Sequence, residues 1–224
     1  QYVAADSLGN VWVTSWFDNS VTKITSSGTI TTYASGSGIG TNAGGIAVDN
    51  DGNVWIANYG SNNVSKITSS GVKASSSPYA VGSGPEGVAV DADNNVWVSN
   101  SGSNNVTKLS SDGSVIGTYS VGSSPRGVAV DTSGHIWVVN SGSKTITELN
   151  SSGTVIGSYP IETSYQTGDF TGFALQRFVL KYPIIPSLSG APTFSSGTPP
   201  IYNSQLTVSS GTLNPSTNLT YDWY

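Results

Sequence analysis

EGVAVDADNNVWVSN, from Glu86 to Asn100, decides the fold, because the chain nearly repeats it. GGIAVDNDGNVWIAN spans Gly44 to Asn58, and RGVAVDTSGHIWVVN spans Arg126 to Asn140. The same frame opens the chain, where Asp6 and Trp12 match Asp49 and Trp55, Asp91 and Trp97, and Asp131 and Trp137. Each tryptophan lies six residues after its aspartate, and the aspartates are 43, 42 and 40 residues apart. A period near 40 in text this rich in β-branched residues marks a repeat architecture.

Within one copy, Gly87–Asp91 is a short apolar run, Ala92–Asn95 a turn, and Val96–Asn100 a second strand. Ser101–Asn104 turns again, Val106–Leu109 alternates, Ser110–Gly113 turns, and Ser114–Tyr119 is a fourth strand. Period-two patterning bounded by Gly, Asn, Asp and Ser predicts antiparallel hairpins. Gly28, Gly71, Gly113 and Gly153 end the third turns, where a hairpin needs positive φ. Four antiparallel strands per copy predict an all-β protein, a β-propeller of four-stranded blades. The small apolar first strand suits the crowded axis. The third strand, carrying Lys23, Lys66, Lys108 or Glu148, is expected to be wetter and nearer the rim. The tryptophans are expected to fill the wedges between blades.

The repeats are placed at about 1–43, 44–85, 86–125 and 126–160, with a partial fifth at 161–180. There Gly172–Gln176 matches Gly127–Asp131, but the aspartate and tryptophan are missing. Residues 181–190 read as a proline-stiffened linker. Residues 191–224 hold three strand-like runs, a partial immunoglobulin-like β segment. A sandwich of that type needs about 100 residues, so this one is expected to be truncated or completed by another chain. The first residue, Gln1, already lies in a strand pattern, as in a processed chain or an excised piece.

Of the 224 residues 9% are charged, and the net charge is −5. No basic stripe offers a nucleic-acid footprint. The lack of cysteine excludes disulfides and thiolate metal sites. No segment approaches the roughly 18 apolar residues of a membrane span. Few charges, no thiols and the sequons at Asn63, Asn105, Asn150 and Asn218 predict an extracellular or cell-surface setting with glycosylation candidates.

The recurring Gly-Val-Ala-Val-Asp, Gly-Asn-Val-Trp-Ile-Ala-Asn and Asn-Asn-Val-Ser-Lys-Ile segments resemble the NHL-type propeller repeat, more closely its streptogramin (virginiamycin B) lyase-like branch. The likeness covers residues 1 to about 180. The tail from Ser187 resembles the start of an immunoglobulin-like domain of prokaryotic surface proteins. The first resemblance implies a propeller, a catalytic histidine with a nearby glutamate, and a bound magnesium ion. His135 is the one histidine. It stands in a turn where other copies have Asn10, Asn53 and Asn95, with no glutamate two or three residues away, so the lyase pair is not carried over and a turn role is expected.

Asp49 and Asp51 echo a calcium loop, but the glycine is fourth instead of sixth and the twelfth-position glutamate is missing. They remain the weak metal candidates, and no cofactor is expected. Glu86 and Arg126 occupy matching loop positions before the innermost strands, where a ligand would meet them, with the Asn58, Asn100 and Asn140 series nearby. Trp16, Phe17 and Tyr59 follow second strands and are candidate stacking residues.

The missing reactive cluster favours a non-enzymatic extracellular protein, its propeller a rigid module for adhesion or assembly. Its partners would be other chains, including copies of itself in a filament built by terminal strand exchange. Two alternatives stand: a lyase or lactone-type hydrolase, and a propeller binding carbohydrate or peptide.

Overall fold

The alternation of apolar and polar residues between asparagine- and glycine-rich turns folds each copy of the repeat into one sheet. The computed structural model describes residues 1–34 and 37–161. The first sheet holds β1 (Val3–Ala5), β2 (Val11–Ser15), β3 (Ser20–Ile24) and β4 (Ile30–Tyr33). The second holds β5 (Ala43–Val48), β6 (Val54–Asn58), β7 (Asn63–Ile67) and β8 (Tyr79–Ala80). The third holds β9 (Pro85–Val90), β10 (Val96–Asn100), β11 (Asn105–Leu109) and β12 (Val115–Ser120), and the fourth β13 (Pro125–Val130), β14 (Ile136–Asn140), β15 (Thr145–Leu149) and β16 (Val155–Pro160). Each sheet is antiparallel and keeps chain order. These are propeller blades, as the sequence predicts. The chain divides into units Gln1–Pro183 and Ile184–Tyr224, and every described residue belongs to the first. The expected partial fifth repeat, linker, immunoglobulin-like segment and Asn218 lie outside the described residues.

The first strands β1, β5, β9 and β13 lie side by side at the hub. They touch backbone to backbone. A Cβ built on Gly45 would fall 2.1 Å from the Glu86 carbonyl oxygen, and one on Gly87 would fall 2.4 Å from that of Arg126. Only glycine permits that approach.

The recurring Asp and Trp form one device per blade. Asp91 Oδ1 accepts the backbone N–H groups of Asp93 and Asn95, and its Oδ2 accepts the Trp97 indole N–H at 3.0 Å. Asp6, Asp49 and Asp131 do the same for Trp12, Trp55 and Trp137. A short turn thus closes over a carboxylate that also satisfies a buried indole. Trp12, Trp55 and Trp97 are completely buried, and each packs on the following blade. Trp55, for example, clusters with Val96, Val98 and Leu109. A fourth-strand tyrosine covers each indole, with centroids 5.5–5.9 Å apart.

One expectation is corrected here. The third-strand lysines are not wet rim residues. Lys108 is 7% exposed and lies 4.7 Å above the Trp97 ring. Its Nζ is 3.6 Å from Asp91 and donates to the Ser151 carbonyl of the next blade. Lys66 repeats this arrangement with Trp55, Asp49 and Ser111. The aliphatic stem buries while the ammonium finds a carboxylate, a carbonyl and a ring face. Water instead meets the outermost strands, where Val115, Ile116, Val155 and Ile156 are about half exposed.

Candidate functional site at the propeller mouth

The turns sort to two ends of the blades. Turns joining second to third strands bond to the connections between blades: Tyr59 N–H donates to the Asn42 carbonyl, and Ser101 N–H to that of Gly84. Those two loop sets form one end, here the mouth. Turns joining first to second strands bond to those joining third to fourth, as when Ser69 N–H donates to Asn53 Oδ1. That is the opposite end. In the first three blades an asparagine with positive φ in the mouth turn clasps the next blade: Asn19, Asn62 and Asn104 Oδ1 accept the backbone N–H of Asn42, Gly84 and Ser124 at 2.7–2.9 Å, and Lys144 holds that position in the fourth.

Glu86 and Arg126 come together at the mouth. Each occupies the second position of its blade's innermost strand, and Arg126 Nη1 lies 3.6 Å from Glu86 Oε2. The glutamate side chain is 10% exposed and the arginine 55%. Arg126 Nε donates to Ser141 Oγ at 3.2 Å, and Ser141 in turn donates to the Ser124 carbonyl. Ser99 Oγ accepts the Gly87 N–H and donates to the Arg126 carbonyl, binding the two blades beneath the pair. The guanidinium is therefore held from two sides while much of it faces solvent.

The aromatic candidates share this end. Trp16 and Tyr59, from successive blades, have centroids 5.2 Å apart at a tilt of 43°. Trp16 lies over Gly44, the counterpart of Glu86 in the second blade, and Tyr59 lies beside Gly84. Phe17 is 91% exposed.

The Asn58, Asn100 and Asn140 side chains do not project into the mouth. They are fully buried and donate to third-strand residues, Asn100 to Asn105 and Thr107 at 2.8 and 2.9 Å. One oxygen of each, Oδ1, meets no donor. Asn63 and Asn105 are acceptors in that network, and Asn150 Oδ1 caps its turn by accepting from Ser152 and Thr154.

Asp49 lies at the opposite end. Its two oxygens accept from Asp51, Asn53 and Trp55, and Asp51 Oδ2 accepts from Asn94 across the blade boundary. These donors occupy the lone pairs of Asp49 that calcium would need.

His135 also lies at the opposite end, and it does have a carboxylate partner. Its Nδ1 is 2.8 Å from Glu148 Oε1, and Tyr159 OH donates to Glu148 Oε2 at 2.7 Å. That hydrogen bond, with some burial and the carboxylate's charge, raises the Tyr159 pKa above the ordinary phenol value. The pair joins residues 13 apart in sequence, on a turn and a neighbouring strand. The clue lay in two coordinated departures from the repeat: histidine for asparagine, and glutamate for lysine.

The magnesium that the resemblance implies does not fit the described mouth. Its carboxylates are Asp18, which accepts from Ser15 at 2.6 Å, and Glu86, which faces a guanidinium. No group of three metal-ligating side chains forms among the described residues.

Four antiparallel four-stranded blades define the class of protein, a β-propeller. The model of the virginiamycin B lyase family matches residues 1–168, and the chain belongs to that family. No curated protein matches the chain. Among solved structures, a streptogramin B lyase is 22% identical with a TM-score of 0.64, covering 72% of this chain and 54% of its own. A catalytically inactive virginiamycin B lyase from Staphylococcus aureus with quinupristin gives 23%, 0.65, 72% and 55%. A gluconolactonase from Xanthomonas campestris gives 18%, 0.58, 71% and 61%. The chain thus spans little more than half the length of these proteins, and the likeness is one of fold. The expectation of a non-enzymatic protein is corrected by the family match. It rested on the lack of a glutamate near His135 in sequence, whereas Glu148 meets His135 across the strands.

Proposed function

We propose that this chain supplies blades to a propeller enzyme that opens a cyclic ester, as a lyase or a lactone-type hydrolase, at the mouth. The observation that carries this reading is the Glu86–Arg126 pair, held between the innermost strands of adjacent blades with the guanidinium half exposed. Ring opening builds negative charge on an ester oxygen, and an oriented cation at that oxygen lowers the barrier. Arg126 is placed for that role. Glu86 orients it and is the proton acceptor beside it. Family membership supports the same reading.

The two reactions leave different products. Elimination breaks the C–O bond as a proton leaves the adjacent carbon, and the product keeps the substrate's mass. Hydrolysis adds one water. Mass spectrometry of a panel of lactones and cyclic depsipeptides incubated with the full chain tests the proposal. Opening of at least one ring faster than in buffer is expected; a panel left intact overturns it.

A further inference from the structure

The mouth departs from its own repeat in a way that blade packing does not require. In the third and fourth blades the first residue of the mouth turn is Ser101 or Ser141, whose hydroxyl donates to the Gly84 or Ser124 carbonyl at 3.0 and 2.9 Å. In the first and second blades that position is Trp16 or Tyr59, whose side chain makes no such bond. The next position is glycine in three blades (Gly60, Gly102, Gly142), but the first blade carries Phe17, 91% exposed. Aromatic surface that gives up a turn hydrogen bond and stays in contact with water points to a ligand.

The other half of the mouth is ionic. Gly44 leaves room for the Trp16 ring, whereas the equivalent positions in the next two blades hold Glu86 and Arg126. The two halves are continuous, because Trp16 lies over Gly44 and Gly45 abuts the Glu86 carbonyl. An apolar shelf therefore borders a paired acceptor and donor whose charges offset each other.

We propose that this surface takes a neutral saccharide of more than one ring. The C–H face of one sugar ring lies on the Trp16–Tyr59 shelf with Phe17 at its edge. Vicinal hydroxyls of another meet Glu86 and Arg126. A hydroxyl both donates and accepts, so two neighbouring hydroxyls match a carboxylate beside a guanidinium. Compensated charge favours a neutral ligand over an anion. More than one ring is needed because the shelf adjoins the second blade's innermost strand and Arg126 lies on the fourth's. The inference rests on the mouth being the ligand-bearing end, and it extends the proposed function by naming what the ester's carrier is made of.

Calorimetric titration of the full chain with neutral tetrasaccharides of glucose, mannose and N-acetylglucosamine tests it. At least one binds with a dissociation constant of about 1 mM or tighter. Phe17→Ala and Trp16→Ala each weaken binding, the latter about tenfold. Glu86→Gln and Arg126→Gln weaken it as well, and His135→Ala leaves it unchanged. Phe17 is exposed enough that its replacement cannot unfold the blade. No binding by any tetrasaccharide, or binding indifferent to both aromatic replacements, overturns the proposal. Saccharide binding without ring opening of any cyclic ester overturns the enzyme reading alone. Ring opening of a cyclic depsipeptide without saccharide binding overturns the saccharide alone.

Discussion

Asp91 shows how much one side chain holds. Burial works against its ionisation, but hydrogen bonds from Trp97 and Asn95, with the Lys108 charge, win and hold its pKa below the usual carboxylate value. Asp131 is lowered in the same way by Trp137, the His135 and Ser133 backbone N–H groups, and the His135 charge. A depressed folded pKa means that the unfolded chain binds more protons as pH falls past the ordinary aspartate value of about 3.9. The stability these aspartates contribute is therefore present above that pH and lost as pH drops through their folded values. Asp91→Asn sets an amide against the Trp97 N–H and leaves buried Lys108 without its counter-charge, at a cost of about 2–4 kcal/mol. Urea unfolding followed from neutral pH to pH 3 checks both. The unaltered chain loses stability over the acid limb, and Asp91→Asn starts lower and loses less.

The Asp and Trp spacing was legible in the sequence because it is local, six residues apart on one hairpin. The His135–Glu148 pair was not, because partners on adjacent strands are set by register instead of proximity in sequence.

At the scale of the element, the hairpins could be read from alternation and turn chemistry, down to the positive φ of Gly28, Gly71, Gly113 and Gly153. The place of the third strand could not. Lys66 and Lys108 read as polar residues of a wet strand, yet each is covered by the blade that follows, a relation that no single-strand pattern encodes. The same holds for the third-turn glycines. Gly113 has φ +92°, and a Cβ there would fall 2.0 Å from Tyr79, which reaches across from the preceding blade. Gly113→Ala combines a left-handed backbone penalty of about 1–2 kcal/mol with displacement of a ring that packs at a tilt on Trp55. A fall of at least about 2 kcal/mol in unfolding free energy is expected, with near-ultraviolet circular dichroism reporting the loss of Tyr79–Trp55 packing. An unchanged aromatic spectrum would count against the tyrosine bridge.

For the molecule as a whole, repetition made the architecture plain and left the chemistry hidden. The function proposed here rests on exceptions to the repeat: Arg126 and Glu86 where the second blade has Gly44, and Trp16, Phe17 and Tyr59 where other blades have serine or glycine. The sequence offered those residues as separate candidates. Their union at one end, opposite His135, follows from which turns bond to which connections. The lyase family's propeller supplies the frame, and this chain's own mouth supplies the polar pair. The most direct measurement of that claim is kcat/KM for ring opening of the best cyclic ester by the unaltered chain, Arg126→Ala and His135→Ala. Activity that falls roughly a hundredfold in Arg126→Ala and holds in His135→Ala is the predicted result; full activity in Arg126→Ala, or loss confined to His135→Ala, would contradict it.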